Sequence, residues 1–192
     1  MLFRSNDTDA LIAEHKMYGC TEIGLGAMPA PAAFHEPRTA AAARQLIADL
    51  AEPIKKIKAA GMTFAYHNHA FEFLTAEGDS EELYEIFINE APDWNFILDT
   101  YWLTYAGRDP VEYVKRLAGR IVNIHFKDLA KTEGREICAC GDGVIDFAPI
   151  IAACEETGIR YALVEQDNAP TFPDAFEEMA KSCRHLTPLV YR

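Results

Sequence analysis

The sequence predicts an α/β fold of the TIM-barrel kind, in which a parallel sheet is covered by helices. Short apolar segments alternate with helical segments of ten or more residues, an order typical of βαβ crossovers. Polar side chains follow four consecutive strands, as they do at the carboxyl ends of barrel strands. The chain contains no G-x-G-x-x-G or G-K-[ST] loop, which a nucleotide-binding doubly wound sheet would favour.

The composition fits one domain over residues 1–192. Hydrophobic residues make up 49% of the chain, enough for one sizeable core, and no composition shift marks a second domain. The apolar runs are too short to span a membrane, and the N-terminus lacks the apolar stretch of a signal peptide, so we expect a cytoplasmic protein. We expect the five cysteines to be reduced thiols. A net charge of -12 without a Lys/Arg stripe argues against a nucleic-acid partner.

Five strands are predicted, each of them a short apolar run bounded by residues that break regular structure. They cover residues 21–25, 62–66, 95–98, 121–124 and 161–164. Because nearly all of them are separated by helices, we expect the strands to run parallel.

Six helices are predicted from capping residues, helical spacing of apolar side chains and terminating glycines. They cover approximately residues 7–18, 38–60, 79–90, 110–117, 147–157 and 173–185. Residues 79–82 should open the third helix, and Asp109 followed by Pro110 should open the fourth. Pro53 should kink the second helix or split it in two. The prolines within residues 29–37 exclude regular structure there.

Side chains that can bind metal follow the last four predicted strands. The segments are HNHAFEF, DTYW, HFKD and EQD, in chain order. If the strands are parallel, their carboxyl ends meet at one mouth, and the carboxylates gathered there would repel one another unless a cation balanced them. Mixed oxygen and nitrogen ligands suit Mn²⁺, Mg²⁺, Co²⁺ or Zn²⁺. The sequence therefore predicts a divalent-metal site.

Each of these side chains also has a structural alternative. Asp99 alone could cap a turn or helix, and His125 alone could be a hydrogen-bonded core histidine. His67 and His69 alternate as on a strand, so at most one should point directly into the mouth. Glu165 follows four apolar residues, where a carboxylate is rarely buried unless it is paired or metal-bound. Four such signals at successive strand ends favour a shared site.

Five segments of the chain resemble one known family. In order, YHNHAFEF, ILDTYWLTYAGRDP, RIVNIHFKD, GDGVIDF and ALVEQD are similar to the sugar phosphate isomerase/epimerase-like family of the xylose isomerase-like TIM barrels, over most of residues 20–186. The resemblance implies a metal held by three carboxylates and one histidine. By position, Asp99, His125 and Glu165 fall on the usual ligands. The first ligand is either His67, where many relatives have Glu, or Glu72, which we prefer.

The resemblance implies a metal-dependent isomerase or epimerase, or a related lyase or dehydratase, that acts on a sugar or polyol. A divalent ion bound to a substrate carbonyl and a neighbouring hydroxyl stabilises the enediolate formed when the adjacent C–H proton is removed. Glu165 is the preferred base, and Glu72 on the opposite side is its partner. A non-catalytic or degenerate sugar-binding protein is the main alternative. Cleavage of abasic DNA is a third, which would need a richer set of metal ligands.

Other polar and aromatic residues near the strand ends are candidates for substrate binding. Lys127 could hydrogen-bond a developing oxyanion, or it could form an ordinary salt bridge to Asp128 or a helix end. His67, His69 and Trp102 could line the sugar pocket or simply pack.

The resemblance also predicts an incomplete barrel. A complete member has eight strands and about 250 residues, whereas the strand at residues 21–25 corresponds to about the fourth, so about five βα units are expected and the N-terminal units are missing. The open sheet should leave edge strands unpaired and apolar residues near Ile23, Leu25 and Phe64 poorly covered. We therefore expect a homodimer or higher homo-oligomer that covers the open side. The alternative is a fragment of a longer protein.

Overall fold

The computed structural model describes residues 7–28 and 37–190. The expectation for residues 29–36 lies outside this range. The chain divides into two compact units, Met1–Ile97 and Leu98–Arg192. A search of the described helices finds none with the length and apolar character needed to cross a membrane.

The first unit alternates helices and strands as the sequence predicts. Its elements are α1 (Thr8–Met17), β1 (Glu22–Leu25), α2 (Ala40–Ala59), β2 (Thr63–His67), α3 (Leu83–Glu90) and most of β3 (Asn95–Asp99). β1 pairs in parallel with β2, and β2 pairs in parallel with β3. A one-turn 3-10 helix, Phe71–Phe73, follows β2.

Two details of the predicted helices are wrong. Asp79 does not cap α3, which begins only at Leu83; its carboxylate instead accepts a hydrogen bond from the Ala40 N–H (2.7 Å) at the start of α2. Of the two expectations for Pro53, the split is wrong, because α2 runs through Pro53 as one element, while the kink stays a prediction. Proline removes one N–H donor from a helix, but buried residues on both sides of it, Leu50 and Ile54, keep α2 anchored in the core.

The second unit contains the other strands and helices. They are α4 (Thr100–Tyr105), α5 (Pro110–Arg116), β4 (Ile121–Phe126), β5 (Asp128–Leu129), β6 (Ile137–Cys138), α6 (Phe147–Thr157), β7 (Ala162–Val164) and α7 (Ala175–Val190). β4 pairs in parallel with β7. The short strands β5 and β6 form an antiparallel pair. Neither this pair nor α4 is predicted from the sequence.

The five parallel strands have the order β1-β2-β3-β4-β7. Together with the intervening helices they have the architecture of an incomplete TIM barrel, which confirms the predicted fold class. All five cysteines are free, as expected.

The expectation of poorly covered apolar residues in the first unit is wrong. Ile23, Leu25 and Phe64 are each at most 2% exposed. The two residues of β1 alternate with exposed positions, and α1 packs against β1 while α2 packs against β2. Their side chains are therefore covered by the helices of the same unit. The homo-oligomer stays a prediction.

Candidate metal centre

Three side chains of the second unit that could bind a metal lie at strand ends. Asp99 is the last residue of β3, His125 is near the end of β4, and Glu165 directly follows β7. Each offers one ligand atom, and these atoms lie within 4.8 Å of one another. β4 and β7 are parallel neighbours, and the Glu165 N–H continues their ladder by donating to the Phe126 carbonyl (3.1 Å). The pairing therefore brings His125 and Glu165 together, as the sequence predicts for adjacent strand ends.

A buried lysine lies among the carboxylates of this unit. Its Nζ is 3.1 Å from Asp99 Oδ2, 2.8 Å from Glu165 Oε2 and 3.1 Å from Asp167 Oδ2. The side chains of Lys127 and Asp99 are 1% and 0% exposed. Burial opposes the charge of Lys127, but the attraction of the three carboxylates outweighs it and raises the pKa of the ammonium. Asp128 is therefore the wrong partner, but the alternative of a salt bridge at a helix end is confirmed, because Asp99 caps α4. The expected contact with an oxyanion stays a prediction.

The charges and donor atoms of the second unit fit a divalent cation. Asp99, Glu165 and Asp167 carry three negative charges and share one ammonium, that of Lys127. Three minus one leaves two negative charges, which one divalent ion would neutralise. Carboxylate oxygens and an imidazole nitrogen are donors that Mn²⁺, Mg²⁺, Co²⁺ and Zn²⁺ accept.

His125 and Glu165 are joined by a hydrogen bond. The His125 Nδ1 lies 2.9 Å from Glu165 Oε2. When Nδ1 carries the proton, Nε2 presents the lone pair, as in metal-bound histidines that donate to a carboxylate. The bonds from His125 and Lys127 hold the pKa of Glu165 well below its ordinary value, although partial burial opposes them. In this arrangement Glu165 is ionised and is a weaker base than an ordinary carboxylate.

Asp99 forms the helix cap that the sequence offers as its structural alternative. Its Oδ1 accepts a hydrogen bond from the Trp102 N–H (3.1 Å) and thereby caps α4, while Oδ2 faces Lys127. The Trp102 ring lies 5.8 Å from the Lys127 Nζ and 4.8 Å from the Tyr101 ring. The cap thus places an aromatic side chain beside the ammonium.

Asp128, which the sequence offers only as a partner for Lys127, organises the backbone of the second unit. Its carboxylate is fully buried and accepts hydrogen bonds from the N–H groups of Leu129, Gly141, Gly143 and Ile145, at 2.8 to 3.1 Å. A Cβ at Gly143 would lie 2.2 Å from Asp128 Oδ1, so this position requires glycine. The GDGVIDF segment is therefore built around a buried carboxylate.

In the first unit, Glu72 lies in the 3-10 helix Phe71–Phe73 and is 0% exposed. Its Oε1 accepts a hydrogen bond from the Tyr66 hydroxyl (2.6 Å), and its Oε2 accepts one from the His69 N–H (2.8 Å). Burial raises the pKa of Glu72 to about 7, although these hydrogen bonds act in the opposite direction. Both oxygens are engaged within the unit.

The two histidines that follow Tyr66 lie side by side. β2 ends at His67, so strand alternation does not extend to His69, and the two ring centroids are 4.8 Å apart. The His67 Nδ1 lies 3.2 Å from the Gly26 carbonyl oxygen. The His69 ring stacks on Phe71, with 6.1 Å between centroids. Both histidines are nearly buried, at 8% exposed.

The fold and these strand-end residues define the class of protein. Residues 9–189 match the family model described as xylose isomerase-like TIM barrel, and the chain belongs to this family. It is 28% identical to an inosose dehydratase of Lacticaseibacillus casei, over 66% of this chain and 47% of that protein. The chain therefore spans about half the length of the curated relatives it matches.

Solved structures show the same fold. A sugar phosphate isomerase/epimerase from Parabacteroides distasonis superposes with a TM-score of 0.80 and 26% identity, over 97% of this chain and 66% of the other. The structure of IOLI protein with a bound zinc atom has a TM-score of 0.66 and 17% identity, over 96% and 68% of the two chains. These similarities confirm the family resemblance.

Proposed function

We propose that this chain carries the proton-transfer centre of a divalent-metal-dependent enzyme that modifies a sugar or polyol, as an isomerase, an epimerase or a dehydratase. The observation that carries the proposal is the convergence of Asp99, His125 and Glu165 around a buried lysine. Relatives named inosose dehydratase and sugar phosphate isomerase/epimerase support a carbonyl-bearing sugar or polyol as the substrate.

Asp99, His125 and Glu165 would hold the ion, and the choice between His67 and Glu72 as a fourth ligand stays a prediction. The two oxygens of Glu72 already accept hydrogen bonds within a fully buried network. The part of Glu72 in proton transfer stays a prediction.

When bound, the ion would polarise the substrate carbonyl and stabilise the negative charge that develops on its oxygen. Glu165 removes the proton from the carbon next to the carbonyl. As it does so, Lys127 turns its ammonium from Glu165 towards the carbonyl oxygen on which charge develops, which makes Glu165 a stronger base and places positive charge where it is needed.

Isomerisation, epimerisation and dehydration share this first step. In the first two reactions, the proton returns to a neighbouring carbon or to the other face of the same carbon. In dehydration, the electron pair of the broken C–H bond forms a carbon–carbon double bond instead, and the β-hydroxyl takes up the proton and leaves as water. Glu165 and Lys127 therefore act in the shared first step, and the substrate determines which product forms.

Calorimetric titration with Mn²⁺ tests the ligand set. Asp99→Ala and His125→Ala should each weaken binding at least about 100-fold, because loss of a ligand costs no less than loss of a residue that only orients one. Asp109→Ala removes an exposed helix cap of the same unit and should bind Mn²⁺ as the wild type does. Unchanged affinity in both ligand variants would contradict the site.

Incorporation of solvent deuterium into inososes and ketoses, with Mn²⁺ present, tests the chemistry. Exchange at the carbon next to the carbonyl is expected for an enzyme of any of the three kinds. Binding of these compounds without exchange would favour a sugar-binding protein instead.

A further inference from the structure

The short helix α4 of the second unit is held at its C-terminal end by an arginine from the β5–β6 hairpin. α4 has only six residues, and so short a helix is unstable without contacts outside itself. The last carbonyls of a helix also need donors that the helix cannot supply. The Arg135 Nη2 donates to the carbonyl oxygen of Tyr105 (2.8 Å) and, over a longer distance, to that of Thr104 (3.3 Å). Arg135 therefore fixes the end of α4 from another element.

Arg135 has a backbone conformation that favours glycine. Its φ is 53°, and it is the one non-glycine residue with a positive φ in the part of the chain that the structure describes. Such a conformation is costly for a residue with a side chain and persists only where the surrounding contacts enforce it. Here the Tyr101 hydroxyl donates to the Arg135 carbonyl oxygen (2.8 Å), and the Arg135 N–H donates to the Thr132 carbonyl oxygen (3.1 Å). An arginine where glycine would cost less indicates a role for its side chain.

The contacts of Arg135 lead to an aromatic cluster on α4, which consists of Tyr101, Trp102 and Tyr105. The Arg135 Cζ lies 4.4 Å from the centre of the Tyr105 ring, so the guanidinium packs on that ring. The Trp102 ring lies 4.8 Å from the Tyr101 ring and 5.9 Å from the Tyr105 ring, between centroids. Both tyrosines that contact Trp102 are thus themselves bound by Arg135.

Trp102 is the member of the cluster that lies beside the proposed reaction centre. The Lys127 Nζ is 5.8 Å from the centre of the Trp102 ring, close enough for the ammonium to be attracted by the ring face. A tryptophan ring is also a rigid, flat apolar surface of the kind that lines pockets for small ligands. The C–H groups of a sugar or polyol offer a matching apolar face.

We propose that Arg135 is a positioning residue that holds the Trp102 ring, through Tyr101 and Tyr105, as a wall beside the Lys127 ammonium. The task of this wall rests on the proposed function: the ring packs against the C–H groups of the substrate while the substrate carbonyl faces the ammonium. The position of the ring is a property of the free protein and can be measured without metal or substrate.

¹⁹F NMR of protein labelled with 5-fluorotryptophan reports the surroundings of the Trp102 ring. The chain has two tryptophans, and Trp102→Phe assigns their signals by the loss of one. Arg135→Gly removes the guanidinium and suits the positive φ, so the hairpin should still form. Its Trp102 signal should move towards that of free 5-fluorotryptophan and should shift more between H₂O and D₂O. Tyr101→Phe, which removes the bond to the Arg135 carbonyl, should act in the same direction.

Arg184→Ala serves as the matched control, because Arg184 is another exposed arginine of the second unit and pairs with Glu177 on its own helix. It should leave the Trp102 signal unchanged. Trp94 is 2% exposed in the core of the first unit, and its unchanged signal shows in each variant that the chain is folded. Arg135→Lys keeps the charge but loses the planar group, and its Trp102 signal should lie between those of the wild type and Arg135→Gly.

Two results of the ¹⁹F measurement would overturn the proposal. One is a wild-type Trp102 signal that matches free 5-fluorotryptophan in position and in solvent shift, a result that needs no variant to fold. The other is a Trp102 signal that is unchanged in both Arg135→Gly and Tyr101→Phe.

Turnover of an inosose with Mn²⁺ present separates this inference from the proposed function. Arg135→Gly should raise KM about 3- to 10-fold, the size of one aromatic contact, and leave kcat within about twofold, because the wall binds substrate and transition state alike. The change should add nothing in a Trp102→Leu background, whereas a merely structural role would raise KM in both. A lower kcat with unchanged KM would contradict the wall. If the wild type turns over no inosose or ketose, the proposed function fails, while the ¹⁹F spectra still decide whether Arg135 positions Trp102.

Discussion

Each unit of the molecule contains a carboxylate that is 0% exposed, and the two carboxylates are stabilised in different ways. Glu72 in the first unit accepts hydrogen bonds from two neutral donors, and burial raises its pKa to about 7. Asp99 in the second unit accepts one backbone N–H and lies 3.1 Å from the ammonium of Lys127. An opposite charge favours ionisation, whereas neutral donors compensate burial only in part.

The difference separates a buried carboxylate held by neutral donors from one held by an opposite charge. Because the pKa of Glu72 is about 7, its carboxylate is partly protonated at neutral pH. Glu72 connects backbone segments, a role that needs no net charge. Asp99 belongs to a group of three carboxylates around one ammonium, where a further cation has a direct electrostatic reason to bind. Burial alone therefore does not favour a further cation, whereas an excess of negative charge around the carboxylate does.

The largest effect is expected from Glu165→Gln. An amide cannot remove a proton, so turnover should fall on the order of 10³-fold, within the usual contribution of a general base. Deuterium exchange into the substrate, with Mn²⁺ present, measures the loss. The exposed Glu177→Gln, in α7 of the same unit, is the control and should keep wild-type exchange. Normal exchange in Glu165→Gln would assign the base to another residue.

Lys127→Met tests whether the ammonium stabilises the buried carboxylate of the second unit. The variant leaves Asp99 charged and buried without its partner, which should lower the free energy of unfolding by about 3–5 kcal/mol. Added Mn²⁺ should restore more stability to this variant than to the wild type, because the ion replaces the missing charge. Urea unfolding with and without Mn²⁺ measures both effects.

Lys181→Met provides the matched control for this lysine. Lys181 pairs with Glu178 on α7, but its side chain is 41% exposed. Loss of such a pair should change stability by about 1 kcal/mol or less. Equal effects of the two lysine variants would mean that Lys127 does not stabilise a buried charge.

The strand-end residues were predictable from the sequence, but their partners were not. Asp99, His125 and Glu165 follow short apolar runs, which have few other structural interpretations. The sequence suggests Asp128 as the partner of Lys127 because the two are adjacent. Successive side chains of extended backbone point to opposite sides, and Asp128 instead accepts backbone N–H groups up to 17 residues away.

Two other features depended on contacts that no local pattern reveals. The residues of α4 include several aromatic and β-branched types, which favour strands. The segment forms a helix because the Asp99 carboxylate caps its start. Glu72 is a carboxylate near a strand end, which is the pattern of a ligand. The sequence does not show that Glu72 accepts a hydrogen bond from the Tyr66 hydroxyl, which lies 2.6 Å away in the folded unit.

Glu72→Gln should change the pH dependence of stability. Because the folded-state pKa of about 7 is above the ordinary value of 4.5, the folded protein binds the proton more tightly than the unfolded chain does. Stability should therefore fall as the pH rises from about 4.5 to about 7, by an amount on the order of 3 kcal/mol. The variant lacks this titration, so its free energy of unfolding relative to the wild type should improve over the same interval. Parallel profiles in urea unfolding would contradict the assignment.

The smallest effect is expected from Asp167→Asn. This variant separates the effect of side-chain burial from the effect of distance to the Lys127 ammonium. Asp167 and Asp99 each have an oxygen 3.1 Å from the same ammonium, but the Asp167 side chain is 54% exposed and that of Asp99 is 0% exposed. Water screens the exposed pair, so Asp167→Asn should cost about 1 kcal/mol or less, and the cost should decrease further at about 1 M salt. Asp99→Asn should cost several times more and depend little on salt. Equal destabilisation of the two variants in urea unfolding would mean that proximity to Lys127, rather than burial, sets the strength of the interaction. The contrast between Glu72 and Asp99 would then require another cause.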